Sequence, residues 1–186
     1  MFNQIITLLL QVVFGLVGGA CLLRLYMQYQ RVAMSARAGN PLGPFIFALT
    51  DWLVLPLRRI IPPVGRWDSA SLVAAYLLQL LQFILFWLLA GAHGGAGLIP
   101  LLAVFGLAHL ALSGLSGLVI IYAVLSWVQT DSAMAGVIAR MVAPLLKSIR
   151  RIVPLVGGVD LSPLVLLVVL QIAGIVLDTV QAGLLS

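Results

Sequence analysis

The chain contains one pattern twice: RRIIPPVGRWDSASLVAAYLLQ at residues 58–79 and RRIVPLVGGVDLSPLVLLVVLQ at residues 150–171. Aligned without gaps, the two stretches are identical at 11 of 22 positions, far more than chance gives in a leucine-rich sequence. The candidate repeat-motif or interface residues are Arg58, Arg59, Pro62, Gly65, Asp68, Gln79, Arg150, Arg151, Pro154, Gly157, Asp160 and Gln171. We interpret the pattern as the mark of an internal duplication.

Composition predicts an integral membrane protein. Of 186 residues, 63% are hydrophobic and 8% charged, whereas soluble domains carry roughly 25% charged residues. Four continuous apolar runs reach the roughly 20 residues that a spanning helix needs, and they lack the two-residue alternation of barrel strands. The predicted spans cover residues 5–29, 69–90, 98–128 and 162–184. The third is long enough that we expect it to tilt, protrude or bend near Gly114 and Gly117.

The basic residues predict the orientation of these spans. Nine of the ten lie in two segments, between spans one and two and between spans three and four: Arg31, Arg37, Arg58, Arg59, Arg66, Arg140, Lys147, Arg150 and Arg151. The positive-inside rule therefore places both segments in the cytoplasm and both termini outside. The net charge of +5 is first a topology signal and second an attraction to anionic lipid headgroups. It gives no reason to expect a nucleic-acid partner.

The predicted fold class is all-α and membrane-integral, with four transmembrane helices as two parallel tandem repeats, residues 1–92 and 93–186. The repeats are parallel because each runs from outside to inside and back. Upstream of the shared stretch, residues 27–29 correspond to residues 125–127 if the first copy holds six extra residues. Each copy is predicted to carry a cytoplasmic amphipathic interfacial helix, at residues 42–61 and 133–153.

The second amphipathic helix shows the clearer pattern. Its predicted apolar face comprises Met134, Ile138, Met141, Leu145, Ile149 and Ile152. The opposite, basic stripe comprises Arg140, Lys147 and Arg151, at the spacing of one helical face. Asn40, and Asp131 with Ser132, are predicted to cap the beginnings of the two helices. We expect such a helix to lie along the membrane surface with its basic stripe toward lipid phosphates or water.

After each amphipathic helix the chain must turn to enter the bilayer. Proline ends the helix, glycine can take left-handed dihedral angles, and an aspartate can cap the spanning helix that follows. In the first copy these residues are Pro62, Gly65 and Asp68. The paired arginines lie where they can bridge to that aspartate or to a lipid phosphate. The same roles are predicted for Pro154, Gly157 and Asp160.

These turns carry a family resemblance. The stretches LTDWLVLPLRRIIPPVGRWDSASL at 49–72, preceded by NPLGPFI at 40–46, and APLLKSIRRIVPLVGGVDLSPLVLLVVLQ at 143–171 resemble the two copies of the YggT family, which includes the YlmG proteins and their plastid relatives. Arg66 and Trp67 depart from the second copy, so the first turn is expected to differ in shape. The resemblance implies a bacterial inner-membrane protein without established catalytic residues. It also implies links to osmotic-stress tolerance, cation homeostasis, cell division and membrane-complex assembly in plastids.

Polar residues inside the predicted spans are few, and burying ionisable groups there is costly. Arg24 is expected to snorkel to the cytoplasmic surface. Gln79 and Gln171 lie at equivalent positions, roughly 15 Å along their helices. There they can make an interhelical hydrogen bond or belong to a polar ring that lines a narrow path.

No catalytic triad, phosphate loop or metal cluster is recognisable, so no enzyme activity, cofactor or metal is predicted. The favoured function is a scaffold or assembly factor that binds membrane lipids and either docks proteins or self-associates. The alternative is a small transport protein for potassium or sodium, or a channel subunit. The scaffold is favoured because the aspartates lie mostly at helix caps and ends, whereas a conduit normally needs polar groups at the midplane.

Overall fold

The structure, a computed structural model, describes residues 2–35, 40–62, 65, 67–92, 95–128, 132–151 and 160–185. Within these ranges the elements are helical: α1 (Phe2–Tyr29), α2 (Leu42–Ile60), α3 (Ser69–Leu89), α4 (Ile99–Val128), α5 (Ala133–Ile149) and α6 (Ser162–Leu185). A short 3₁₀ turn, Ala96–Leu98, precedes α4.

Four of the helical segments are long and apolar enough to cross a membrane: Phe2–Tyr29, Ser69–Leu89, Ala96–Val128 and Ser162–Leu184. The prediction of four helical spans is therefore confirmed. The third runs through Gly114 and Gly117 without interruption. The 30 residues of its α-helical part, α4, correspond to about 45 Å at 1.5 Å per residue.

The chain divides into two compact units. Unit 1 comprises Met1–Tyr29 and Phe45–Ala111, and unit 2 comprises Gln30–Pro44 and Leu112–Ser186. This division follows spatial proximity and divides α4 between the units. The predicted repeats, residues 1–92 and 93–186, are defined by sequence similarity, which this spatial division does not test, so they stay a prediction.

In unit 1, α1 packs against α3 through small side chains. Cys21 of α1 and Ala70, Ala74 and Ala75 of α3 are fully buried, and small residues let two helices approach closely without a side chain between them. Val54 of α2 joins the same cluster. The helix α2 is thus anchored in the core that α1 and α3 form.

In unit 2, α5 packs against α6. The residues that α5 buries are Val137, Ile138, Met141, Val142 and Leu146. The predicted apolar face is right for Ile138 and Met141 and wrong for Met134, which lies in the first turn of the helix and is 37% exposed. The buried face is also wider than predicted, since Val137 and Val142 flank it on either side. Leu145 and Ile149 are half-buried, and Ile152 lies outside the described residues.

Side-chain hydrogen bonds begin both surface helices. Before α2, Asn40 accepts a hydrogen bond from Leu42 N at 3.0 Å and donates one to Ala33 O at 2.8 Å. Before α5, the Ser132 hydroxyl accepts from Ala135 N at 3.1 Å. Each satisfies a backbone donor that the helix itself cannot. The predicted caps at Asn40 and Ser132 are confirmed, whereas Asp131 lies outside the described residues.

Candidate functional site

The turn between α2 and α3, here called the first elbow (residues 58–68), is closed by an ion pair. Arg58 contacts the Asp68 carboxylate through Nη2 at 2.6 Å and through Nε at 3.3 Å. Gly65 has φ +61°, so the left-handed conformation predicted for this glycine is confirmed. Trp67, which departs from the second copy, lies against Tyr29 with ring centroids 5.0 Å apart.

Asp68 is the centre of a wider network. It is 2% exposed and accepts hydrogen bonds from Arg58 and the Ser71 hydroxyl. Gln28 of α1, in the amide orientation that satisfies both of its atoms, donates to Asp68 at 3.2 Å and accepts from Arg58 at 2.8 Å. The predicted capping of α3 by this side chain is wrong, because the carboxylate makes no hydrogen bond to the backbone of α3. It instead makes the stronger charge-assisted contacts.

A second ion pair, here called the inner pair, joins Arg24 of α1 to Asp51 of α2. Arg24 is 1% exposed. Its Nη1 atom donates to Thr50 Oγ1 at 2.7 Å and to Asp51 Oδ1 at 2.6 Å. Its Nε atom lies 3.9 Å from Asp68 Oδ2, and the guanidinium lies 4.8 Å from the centre of the Phe47 ring. The expectation that Arg24 snorkels is wrong, because α2 brings a countercharge to it.

The charges of the network compensate one another. Arg24 and Arg58 face Asp51 and Asp68, so two positive and two negative groups share the junction of α1, α2 and α3. Burial by itself would raise the pKa of Asp68, but hydrogen bonds from Arg58 and Ser71 and the charges of both arginines lower this pKa below its usual range. Asp68 is therefore a carboxylate at neutral pH, and the network stays ionic.

The second elbow (residues 150–160) uses the same ion pair in an exposed setting. Arg150 contacts Asp160 Oδ2 through Nη2 at 2.7 Å and through Nε at 2.9 Å. The two side chains are 44% and 25% exposed. Arg150 also donates to the hydroxyl of Tyr122 on α4 at 2.9 Å. Pro154 and Gly157 lie outside the described residues.

Asp160 also meets the beginning of α6. Its Oδ1 atom accepts from Ser162 N at 2.9 Å, so the carboxylate of this elbow does hydrogen-bond the helix backbone, as predicted. Burial would raise the pKa of Asp160, but the hydrogen bonds from Ser162 and the charge and hydrogen bonds of Arg150 lower it. Burial would lower the pKa of Arg150, but its hydrogen bonds to Asp160 and Tyr122 and the charge of Asp160 raise it above its usual range.

The remaining candidate residues do not join either elbow's ion pair. The second arginine of each pair, Arg59 or Arg151, is exposed. Gln79 is buried, and its Oε1 atom packs against Gly106 of α4. Any side chain at position 106 would clash, because its Cβ atom would lie 2.5 Å from this oxygen. Gln171 is exposed on α6.

Three contributors were missed by the sequence interpretation: Gln28, Thr50 and Asp51. Asp51 is the only acidic residue in α2, and that isolation was the one available signal, since a lone acid on an apolar helix needs a partner. Its separation of 27 residues from Arg24 matches no helical spacing.

Among the described residues, no group of three or more His, Cys, Asp or Glu side chains is placed to hold a metal ion.

The described elements are helices, four of which are long and apolar enough to span a membrane, and ion pairs close the elbows at the ends of these spans. This architecture is that of a multi-pass membrane protein. The sequence profile of the CCB3/YggT family matches residues 3–89 and 101–181, and the chain belongs to this family. The family resemblance seen in the elbows is thereby confirmed.

Similar proteins extend over nearly the same length. A protein of Escherichia coli K12, called Uncharacterized protein YggT, is 33% identical over 189 residues, which cover 95% of this chain and 92% of the relative. An uncharacterized protein of Vibrio alginolyticus is 35% identical over 92% of both chains. One from Pseudomonas aeruginosa is 35% identical over 79% of this chain and 77% of its own. No solved structure matches the chain.

Proposed function

We propose that this protein is a non-catalytic scaffold or assembly factor of the bacterial inner membrane. The observation that carries the proposal is the closed network of unit 1. The four charged groups at the junction of α1, α2 and α3 bind side chains of the same unit. Charges used in this way fix the position of a surface helix on two spans. Rigid placement of a surface helix serves docking and leaves no free group there for acid-base chemistry.

The proposed architecture is two parallel repeats with both elbows in the cytoplasm and both termini outside. Three observations support it. The family profile matches two separate ranges, the arginine-aspartate pair spans ten residues in each elbow, and the basic residues concentrate in the two segments that contain the elbows. Reporter fusions at each terminus and in each elbow test this arrangement. An elbow reporter on the outer side would contradict it.

In this arrangement α2 and α5 are interfacial amphipathic helices. α2 exposes the large apolar residues Phe45, Trp52, Leu55 and Ile60, which suit the boundary between headgroups and acyl chains. α5 exposes basic side chains opposite its buried face. The surface available to partner proteins is then the cytoplasmic side of the two helices and their elbows. The links to osmotic-stress tolerance and cell division that the family resemblance implies belong to this proposal.

The proposal is tested by in-cell crosslinking from exposed positions of the second elbow and α5. We expect a specific membrane or division protein to be captured from wild type and lost with Arg150→Ala and Arg151→Ala, while the reporter topology stays unchanged. The matched control is Arg31→Ala with Arg59→Ala, which removes two exposed arginines elsewhere. Unchanged capture in the Arg150/Arg151 variant, or equal loss in the control, would contradict docking at the second elbow.

Cation transport is the second candidate, and one observation favours it. Gln82 of α3 is buried, and its Oε1 atom has no hydrogen-bond partner among the described residues, so an acceptor oxygen lies within a span. Purified protein in liposomes tests this candidate. Potassium or sodium flux above that of empty vesicles, abolished by Gln79→Leu with Gln171→Leu or by Gln82→Leu, would replace the scaffold proposal.

A further inference from the structure

The exposed side of α5 carries a straight row of positive charge, here called the basic row: Arg140, Lys147 and Arg151. All three side chains are exposed. Separations of seven and four residues, at 100° per residue, place them within about 40° of one another around the helix and over about 16 Å of its length. The helix ends at Ile149, and Arg150 after it keeps helical dihedral angles, so the next residue, Arg151, continues the helical path. The row is therefore a continuous stripe.

The basic row is not neutralised within the described part of the chain. Residues 132–151 contain no acidic residue, and the described acid nearest to them in sequence, Asp160, is bound by Arg150. The surface helix of unit 1 differs, since Asp51 lies within α2 and pairs with Arg24. Three positive charges along one helix face, with no countercharge in the part of the chain that the structure describes, favour an external anion.

The attachments of α5 determine which anion can reach the row. α4 ends at Val128 and α5 begins at Ala133, while α6 begins at Ser162 after the second elbow. Trp127 at the end of α4 is exposed, and tryptophan is enriched at the membrane interface. The helix is thus tethered by short segments to a membrane span at each end. Its opposite face is buried, so the basic row points away from the core of unit 2, and at the membrane surface the headgroups are the anions closest to it.

We infer that the basic row binds the phosphate groups of anionic phospholipids. The inference rests on the proposed function, which places α5 at the membrane surface, and it names the lipid class. Each basic residue near an anionic surface contributes about a fivefold gain in binding, and salt screens the attraction within about 10 Å at 0.1 M. An acidic protein surface or free phosphate would answer to the same charge, and the experiment separates these sources.

The experiment uses the purified full chain in detergent micelles, with phosphatidylglycerol or phosphatidylcholine titrated in at 50 and 300 mM NaCl. The variant is Arg140→Gln with Lys147→Gln. The matched control, Arg31→Gln with Arg59→Gln, removes the same charge outside the row. All four side chains are exposed, and gel filtration and circular dichroism check that both variants fold.

We expect the row variant to lose about 25-fold in phosphatidylglycerol affinity at low salt and the control to lose clearly less, because Arg31 and Arg59 do not lie in one row along a helix. Phosphatidylcholine binding should not change, and high salt should reduce the difference. Equal losses in both variants, or an unchanged row variant, would overturn the inference. So would inorganic phosphate that competes as well as the lipid, because the site would then take a soluble anion.

The two proposals fail in different ways. A row variant that keeps its lipid preference but no longer captures its partner in cells would show a protein-docking surface. That result would overturn the lipid assignment and leave the scaffold standing. If lipid binding depends on the row but no partner is captured from any position, the lipid assignment stands and the scaffold proposal is overturned.

Discussion

The two elbows contain the same arginine-aspartate pair in different surroundings. Asp68 in the first elbow is almost fully buried and belongs to a network that reaches α1 and α2, whereas Asp160 in the second is partly exposed and meets Arg150 and the beginning of α6. If the alignment of the two elbows is extended upstream without a gap, it places Thr50 and Asp51 opposite Val142 and Ala143. With the six-residue shift upstream, it places Arg24 opposite Tyr122.

Under that alignment the second copy lacks both members of the inner ion pair together with the threonine that assists it. This joint absence has a physical reason, since a buried charge left without its partner costs several kcal/mol while loss of the whole pair can be nearly neutral. Tyr122 still reaches its elbow, because its hydroxyl accepts from Arg150. The comparison teaches that α2 is fixed by several polar attachments and α5 chiefly by its apolar face.

The largest effect is expected from breaking the inner pair. Arg24→Leu leaves Asp51 without its partner, leaves buried Thr50 without a donor and removes positive charge near Asp68. Because the Asp51 side chain is 40% exposed, solvent screens part of the loss, and we expect the free energy of unfolding to fall by about 2–4 kcal/mol, measured by denaturant-driven unfolding in mixed micelles. The matched change in unit 2, Tyr122→Phe, removes one exposed hydrogen bond and should cost less than about 1 kcal/mol. Equal losses would contradict the contrast between the units.

The same comparison can be tested by transplanting unit 2 residues into unit 1. Arg24→Tyr with Thr50→Val and Asp51→Ala removes the whole inner pair at once. We expect this triple variant to be more stable than Arg24→Leu alone, because no charge is left uncompensated. A triple variant less stable than the single one, in the same unfolding measurement, would show that the pair is not lost as a unit.

The next effect in size concerns the elbow arginines themselves. Arg58→Ala leaves the buried Asp68 carboxylate with fewer donors, and a hydrogen bond to a charged group is worth about 1.5–3 kcal/mol. Arg150→Ala breaks an exposed pair and should cost about 0.2–1 kcal/mol. Unfolding of the two variants under identical conditions checks the order. A larger loss of stability for Arg150→Ala than for Arg58→Ala would mean that burial of the aspartate does not determine the strength of the ion pair.

Much of this difference could not be read from the sequence. The spans follow from continuous apolar runs, and the elbow's glycine and its ion pair follow from the repeated pattern. The inner pair depends on which face of α2 meets α1, and no local spacing relates Asp51 to Arg24 across 27 residues. The same gap explains the wrong expectation for Arg24, since a lone arginine near the end of a span can snorkel or pair. Only the packing of α2 decides between these outcomes.

A smaller loss of stability is expected when acid protonates the elbow aspartates. The pKa of Asp68 is lowered in the folded protein, so its contribution to stability is complete above the usual aspartate pKa, about 3.9. That contribution is lost as the pH falls from there through the lowered folded-state pKa. Asp68→Asn should flatten the acid limb of the unfolding curve. Asp160→Asn should flatten it less, because its exposed charge is screened by solvent. Identical slopes for the two variants would argue against Asp68 as the more strongly coupled group.

The smallest effect is expected at the cap of α6, where two substitutions separate two roles of one carboxylate. Asp160→Asn keeps an oxygen that can accept from Ser162 N but removes the charge that Arg150 contacts, whereas Asp160→Ala removes both. The alanine variant should therefore be less stable than the asparagine variant by about 1 kcal/mol, the usual value of a helix cap. Thermal unfolding in detergent measures the difference. If the two variants melt together below wild type, the aspartate acts through Arg150 alone. The second elbow would then resemble the first, where the carboxylate binds arginine and the Ser71 hydroxyl but not the helix backbone.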